Sequence, residues 1–354
     1  MGTLIESASS AISQIGRHLS VTSLVPTLLF LLWLLALFSS DPWEVPNLAA
    51  VSTALTDWSV AKVVGMVAAA VTIGFVAHPL LFATTQLLEG YWGPHPLAIR
   101  VAAARAGIHR KRLRALVDEC DDREARIDAF TTHVLRKTWS AQQLKDASPA
   151  ELRSAAQSVL ASEDGLPAFA EYIAMQAAAR ATTGFPDEGH RVMPTRLGNA
   201  LRRIEDRTGR QYELDLVTIA PHLAVMARGG RAKYISDSRE EFDFTVRLCS
   251  FALIASVVTT VWLAPTGWWL LLACIPYAVA YAAYRGAIAA AQEWGTALGT
   301  AVDLERFALY AALGLQLPAD SEEERLTNQR LVELINGDAT ANVAYSRQAP
   351  RADS

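Results

Sequence analysis

The feature that most constrains this chain is a pair of uncharged apolar runs separated by a very short linker. The runs cover residues 248–263 and 268–284. Each approaches the roughly 20 residues that an α-helix needs to cross a hydrocarbon core of about 30 Å. Because residues 264–267 can only turn the chain at one membrane face, the sequence predicts a transmembrane hairpin with both flanks on the opposite face.

The composition indicates a membrane protein with large water-exposed parts. The 354 residues are 51% hydrophobic and 19% charged, which is too apolar for an ordinary soluble domain and too charged for a chain buried entirely in lipid. The net charge of −4 argues against general affinity for nucleic acid, so no nucleic-acid partner is expected. Cys120, Cys249 and Cys274 are interpreted as small apolar side chains rather than as disulfide or metal ligands.

The N-terminal part predicts a first hairpin. A polar segment, residues 1–20, precedes an apolar run over residues 21–38, and a second run covers residues 60–82. The first run resembles the core of a secretory signal, but it is long for one and the residues after it form a poor cleavage site, which favours an uncleaved anchor. Lys62 lies close enough to its helix end to reach the interface.

The distribution of cations predicts the orientation of the spans. Basic residues follow the second span and precede the third, whereas the loops after the first and third spans lack them near their centres; the positive-inside rule therefore places both termini and the middle region in the cytoplasm. The tryptophans expected to form a belt at the outer face are Trp43, Trp58, Trp268 and Trp269. The cations are Arg100, Arg105, Arg110, Lys111, Arg112, Arg114, Arg231, Lys233, Arg239 and Arg247.

His78 is the ionisable residue predicted well inside a span, beside Pro79. Intramembrane ionisable groups are costly and are often functional, so one hypothesis is a proton or ion relay. The alternative is a neutral histidine that hydrogen-bonds a neighbouring helix or lies near the inner interface. This alternative is favoured because the other spans offer no acidic partner.

The helix is expected to continue past Pro79 into the cytoplasm and to end at Gly93 and Pro94. Glu89, Tyr91 and Trp92 are its candidate interfacial residues. They act either as a simple anchor or in a more specific structural role.

The middle region predicts a helical cytoplasmic domain. Apolar residues recur at helical spacing over residues 97–120, a second amphipathic piece covers residues 123–137, and Ser148 and Pro149 begin a further helix. Another helix is expected over residues 166–180. The basic cluster of residues 109–114 either binds anionic lipid headgroups or is a solvated face that fixes topology, and the second interpretation is favoured.

The most distinctive stretch is residues 194–223. Thr195 is expected to cap a helix that Gly209 ends. A second helix is expected to begin near Tyr212 to Asp215 and to end around Pro221 to Leu223. The polar side chains here would make an acceptable pocket for an anionic ligand. The favoured interpretation is that they hydrogen-bond one helix to the next and to the membrane-proximal turn. These candidate ligand or partner residues are Arg196, Asn199, Arg202, Glu205, Asp206 and Asp215.

Two motifs in this chain resemble those of a broad group of uncharacterised actinobacterial integral membrane proteins. One is the E-G-Y-W sequence at residues 89–92, and the other is the T-R-L-G-N, L-R, E-D, G-R-x-Y-x-L-D and P-x-L order within residues 195–223. Glu213 and His222 depart from the second pattern, where glycine and arginine are expected. The resemblance implies a shared fold and carries no activity.

The region after the fourth span is expected to continue as a helix to Leu315, with a face of small residues that allows close helix contact. A last helix is predicted over residues 321–335, followed by a disordered tail. The sequence contains no H-E-x-x-H, Walker A, G-x-S-x-G or paired C-x-x-C motif, so neither an enzyme nor a cofactor or metal is expected.

These observations predict an all-α, multi-pass protein of the cell (inner) membrane in which two hairpins carry a helical cytoplasmic domain. The expected function is a non-enzymatic scaffold or sensor whose partners are the bilayer, a cytoplasmic protein and further copies of itself. The alternative is a small oligomeric channel or transporter that uses His78. The predicted segments are residues 1–20 (N-terminal segment), 21–92 (first hairpin and stalk), 93–245 (cytoplasmic domain), 246–290 (second hairpin), 291–337 (helical tail) and 338–354 (disordered tail).

Overall fold

The computed structural model describes residues 21–338 and 340–346 of the chain, and within them it shows α-helices and no β-strand. This confirms the predicted all-α class. The predicted N-terminal segment, residues 1–20, and the end of the predicted disordered tail, residues 347–354, lie outside the described residues.

The helices follow one another with short connections. In chain order they are α1 Val21–Leu37, α2 Leu48–Thr56, α3 Val60–Ala77, α4 Leu80–Glu89, α5 Pro96–Thr138, α6 Ala141–Asp146, α7 Pro149–Leu160, α8 Leu166–Thr182, α9 Arg196–Arg207, α10 Leu216–Met226, α11 Gly230–Trp262, α12 Cys274–Ala312 and α13 Ser321–Ile335. Single 3₁₀ turns cover Glu163–Gly165, Gly189–Arg191 and Arg210–Tyr212, and a longer 3₁₀ segment, Gly267–Ala273, precedes α12.

The chain divides into two compact units. The inserted unit is Trp92–Arg203, and the spanning unit comprises the described residues on either side of it. The division falls inside α9, between Arg203 and Ile204.

Three helical segments of the described chain are long and apolar enough to cross a membrane: α3, α11 and the segment Gly267–Ala312 that contains α12. The sequence predicts a fourth span over residues 21–38. In the structure α1 is apolar but has 17 residues, and it belongs with the shorter apolar helices.

Within the spanning unit, α1 and α11 run in the same direction. Three contacts show this, because residues further along α1 contact residues further along α11. These contacts are Phe30 with Phe251 (ring centroids 5.2 Å apart), Trp33 Nε1 donating to Thr259 Oγ1 (2.8 Å), and Phe38 with Trp262 (ring centroids 4.5 Å apart).

Small residues allow α12 to pack closely along α11. Ala283, Ala287 and Ala290 of α12 are buried. A Cβ atom placed on Gly286 would lie 3.4 Å from Thr245 Cγ2 of α11. Part of the small-residue face that the sequence predicts is therefore used inside a single chain.

The predicted disordered tail needs a correction, because residues 340–346 fold back onto the end of α12. Val343 is buried against Leu309, Leu315 and Leu331. The Gln316 amide donates to the Ala344 carbonyl at 2.9 Å. Polar composition predicted disorder here, but burial of one valine and pairing of the backbone hold this segment in place.

The inserted unit is built on α5, which is one helix of 43 residues rather than the two pieces that the sequence predicted. It packs along α8, where the Glu171 carboxylate accepts from Arg123 at 2.8 Å and from Arg126 at 3.1 Å. The hydrogen bond from Arg126, and to a smaller extent the one from Arg123, lowers the pKa of Glu171. Capping boxes at Ser140 and Ser148 begin α6 and α7.

Candidate functional site

The distinctive stretch begins with a loop that Asn199 fastens to the start of α9. The Asn199 side chain is fully buried; its Oδ1 accepts from the Met193 amide at 2.7 Å, and its Nδ2 donates to the carbonyls of Met193 (3.1 Å) and Thr195 (2.8 Å). Thr195 Oγ1 accepts from the Gly198 amide at 3.0 Å, as the predicted cap requires. The hydrogen bonds of the Asn199 side chain therefore go to the backbone of this loop.

Arg203 is a residue of this region that the sequence analysis did not select. Its guanidinium donates to the Phe185 carbonyl at 2.9 Å and lies 3.6 Å from the Asp187 carboxylate. The arginine thus ties α9 to the loop that follows α8. No local sequence signal pairs these residues, because they stand well apart in the chain.

His109 belongs to the interior of the inserted unit, although the sequence places it in a basic cluster. Only 8% of the residue is exposed, and its ring centroid lies 6.1 Å from that of Phe185. Burial, and then the charges of Arg105, Arg196 and Arg112, lower the pKa of His109. His109 is therefore a packed ring of the core rather than one of the cluster's exposed cations.

The other candidate residues of the stretch divide between the two units. Arg196, which is exposed, and Arg202 lie in the inserted unit, whereas Glu205 and Asp206 lie in the spanning unit and are half-buried. Asp215, also in the spanning unit, caps α10 by accepting from the Thr218 amide at 3.0 Å. Asn199 and Asp215 thus have structural roles, and the described contacts assign no ligand to the set.

The E-G-Y-W sequence forms the end of α4. Gly90 adopts a left-handed conformation with φ 108°, and its amide and that of Tyr91 donate to the Gln86 carbonyl. Such a turn ends a helix and favours glycine, because a Cβ atom is strained at positive φ. The helix therefore stops at Glu89, earlier than the predicted stop at Gly93 and Pro94. Trp92 is the first residue of the inserted unit.

His78 and Pro79 separate α3 from α4. Proline lacks the amide that would continue the helical hydrogen bonds, which explains why the predicted continuous helix is interrupted here. His78 is exposed, and its Nδ1 lies 3.1 Å from Nη2 of Arg247 on α11. His78 thus contacts a cationic side chain of the neighbouring helix.

The inserted unit also has an open groove of about 1110 Å³ that the sequence analysis did not predict. It lies between the end of α5, α6 and α7. Its walls combine apolar side chains such as Leu135 and Val159 with hydroxyls such as Ser154 and Ser158. The sequence signal that could have revealed this groove is the pair of capping boxes that begin α6 and α7. They predict the turns before these helices, and those turns shape one wall of the groove.

The spanning unit has a smaller cavity of about 170 Å³, which lies between α1, α11 and α12. Its lining is almost entirely apolar and includes Phe30, Phe251 and Ile275. Within residues 21–338 and 340–346, no group of three His, Cys, Asp or Glu residues could hold a metal ion.

No protein-family model, no curated protein and no solved structure matches this chain.

Proposed function

We propose that this protein is a non-enzymatic membrane scaffold or sensor that acts through a helical cytoplasmic domain. The observation that carries the proposal is the groove between α5, α6 and α7, an open surface of mixed apolar and hydroxyl side chains. A broad, open surface suits a segment of another polypeptide better than a small substrate, which proteins usually enclose. The occupant is a cytoplasmic protein or a second copy of this chain.

The directions of the helices support anchoring by two transmembrane hairpins. α1 and α11 run in the same direction, and the contact of His78 with Arg247 joins the end of α3 to the charged part of α11. The Trp43 amide donates to the Trp262 carbonyl at 2.9 Å, so the two predicted outer loops lie together. With Arg247 towards the cytoplasm, the positive-inside rule places these loops outside.

Cysteine labelling in intact cells tests this topology. In a variant without the three native cysteines, Ser52→Cys places a thiol in the predicted outer loop and Ser154→Cys places one in the groove; both positions are exposed. A membrane-impermeant maleimide should label position 52 in intact cells and position 154 only after lysis. Labelling of position 154 in intact cells would reverse the assignment of sides.

Photo-crosslinking tests the groove. A benzophenone amino acid at Ser158, which lines the groove, should give one discrete adduct in cells, whereas the same group at the exposed neighbour Gln157 should not. A mass-spectrometric sequence of the adduct then distinguishes a partner protein from a second copy. Equal, diffuse crosslinking from both positions would contradict a binding groove.

A small channel or transporter is the alternative function. It would need a polar path, but the cavity among α1, α11 and α12 is almost entirely apolar and small residues of α12 pack against α11. Purified protein in liposomes should therefore pass no more ions than empty liposomes. A conductance that His78→Ala abolishes would favour the channel over the scaffold.

A further inference from the structure

The N-terminal third of α5 has an exposed apolar stripe. Leu97, Val101, Ala104 and Ile108 follow the helical spacing of four, three and four residues, so their side chains lie along one line of the helix. All four are exposed, with exposed fractions of 65% for Leu97 and 59% for Ile108. No packing within residues 21–338 and 340–346 accounts for this stripe.

Basic side chains border the stripe on both sides. Arg105 and Arg112, seven residues apart, lie along one edge, and Arg100 and Lys111 lie along the other. All four are exposed. No Asp or Glu occurs between Glu89 and Asp118, so acidic residues of this segment do not neutralise the cations.

A separate side of α5, roughly a third of a turn around the helix from the stripe, holds the helix in its unit. His109 is buried near Phe185, and Cys120 lies against α8, with its Sγ 3.9 Å from the Met175 carbonyl. The stripe therefore lies on the face of α5 that points away from the unit's interior. The helix carries a packed face and a second, unpartnered face.

We infer that residues 97–112 of α5 form a membrane-surface helix that binds the headgroup region of an anionic bilayer. An apolar line between two basic rows matches such a surface, since the apolar side chains enter the acyl boundary while the cations meet lipid phosphates. The position in the chain fits, because α5 begins seven residues after Glu89, the end of the helix that follows a span. Nucleic acid would leave the apolar line unused. The inference does not depend on what occupies the groove.

Spin labels on full-length protein in lipid nanodiscs test this site. In the cysteine-free background, Ile108→Cys places a nitroxide on the stripe, and Val117→Cys places one nine residues later, on the opposite side of the helix. Val117 is the matched control because it is also exposed, at 43%. Collision rates with oxygen, which concentrates in lipid, and with a water-soluble nickel chelate report the surroundings of each label.

In nanodiscs that contain phosphatidylglycerol, the oxygen-to-nickel ratio should be higher at position 108 than at position 117. The ratio at 108 should fall to the value at 117 in pure phosphatidylcholine, and also in an Arg105→Gln/Lys111→Gln/Arg112→Gln variant. Replacing both arginines by lysine should preserve it, because headgroup attraction needs charge rather than fork geometry. An unchanged Val117 spectrum shows that the variants remain folded.

Three results would overturn the inference. The first is a label at 108 that behaves like the label at 117 in anionic nanodiscs. The second is a high ratio at 108 that persists in phosphatidylcholine and in the glutamine variant, because the charges would then have no part. The third is shielding of 108 from both reagents with spin–spin broadening, which would show that a second copy covers the stripe.

Discussion

Nη2 of Arg247 lies 3.1 Å from Nδ1 of His78, and this contact joins the end of α3 to α11. Arginine has only donors, so Nδ1 of His78 is the acceptor. The contact supplies a structural reason for an ionisable residue beside the break at Pro79. It explains His78 as a link between two helices and does not require a proton path.

Replacing His78 tests this link. Because Asn Oδ1 can take the place of the ring Nδ1, His78→Asn should keep the hydrogen bond to Arg247, whereas His78→Ala should lose about 1 kcal/mol of stability. Thermal unfolding of the detergent-solubilised protein, followed by circular dichroism, measures the difference. If the two variants unfold at the same temperature, the contact adds nothing measurable.

Gly295 on α12 is the site of a second prediction. A Cβ atom there would lie 2.7 to 2.9 Å from three side-chain atoms of Ile204, closer than van der Waals contact allows. Crowding of this kind costs about 1–3 kcal/mol, which outweighs the roughly 1 kcal/mol that alanine gains over glycine in a helix. Gly295→Ala should therefore lower the unfolding temperature.

Gly299, one turn further along α12, is the matched control for Gly295. A Cβ atom at this position would meet Thr208 Cγ2 at 4.0 Å, an ordinary contact. Gly299→Ala should leave the unfolding temperature unchanged or raise it, because only the helix propensity changes. Equal destabilisation by both substitutions would show that the Ile204 contact is not the cause.

Asn328 on α13 is fully buried and bridges two tyrosines. Its Oδ1 accepts from the Tyr310 hydroxyl, and its Nδ2 donates to the Tyr212 carbonyl at 2.7 Å. Asn328→Ala should cost about 2 kcal/mol or more, because both partners lose a hydrogen bond away from water. Chemical unfolding should show this loss, while Gln329→Ala, at an exposed neighbour, should change stability by less than about 0.5 kcal/mol.

Sequence patterns predicted the helix starts well, because capping is local. Ser148 and Thr195 cap the helices that they were predicted to begin, and Asp215, the last residue of the predicted starting range, caps α10. The bonds between Arg203 and the loop after α8 could not be predicted in this way. These bonds depend on how segments far apart in the chain pack together, and no fixed residue spacing in a single sequence predicts that packing.

The candidate site shows the same limit. Composition correctly identified a polar stretch, but it could not distinguish side chains that serve the backbone, such as Asn199, from side chains that face solvent, such as Arg196. His109 is the clearest case, because the three basic residues that follow it in the sequence suggested an exposed side chain, whereas its ring is buried. Assigning these roles required the packing of α5 within its unit.

His109 predicts a dependence of stability on pH. Burial and nearby arginines lower its pKa in the folded state below the ordinary value of 6.5, so the unfolded chain binds the proton more readily. The contribution of His109 to the free energy of unfolding should therefore be constant above about pH 6.5. It should decrease as the pH falls from there towards the pKa of the folded state.

Thermal unfolding of the full-length protein across this pH range measures the effect. His109→Gln should remove part of the loss at acidic pH, because glutamine does not titrate. His133→Gln, at an exposed histidine of the same helix, should lose as much stability at acidic pH as the wild type does. Identical pH profiles for wild type and His109→Gln would rule out this contribution of His109.

Val343 predicts that the segment after α13 is held in place. Because Val343 is buried in the cluster at the end of α12, Val343→Asp should release the segment and speed chymotrypsin cleavage after the exposed Tyr345. Asn342→Asp adds the same charge at an exposed neighbour and should leave the cleavage rate unchanged.

The uninterrupted length of α11 has a mechanical consequence. Its 33 residues make a rod of about 50 Å, of which a bilayer core takes about 30 Å. The remaining turns carry charged side chains, and the rod contains no proline and no glycine after its first residue at which it could bend. A force that tilts the charged end must therefore move the apolar end as well, like the two arms of a lever.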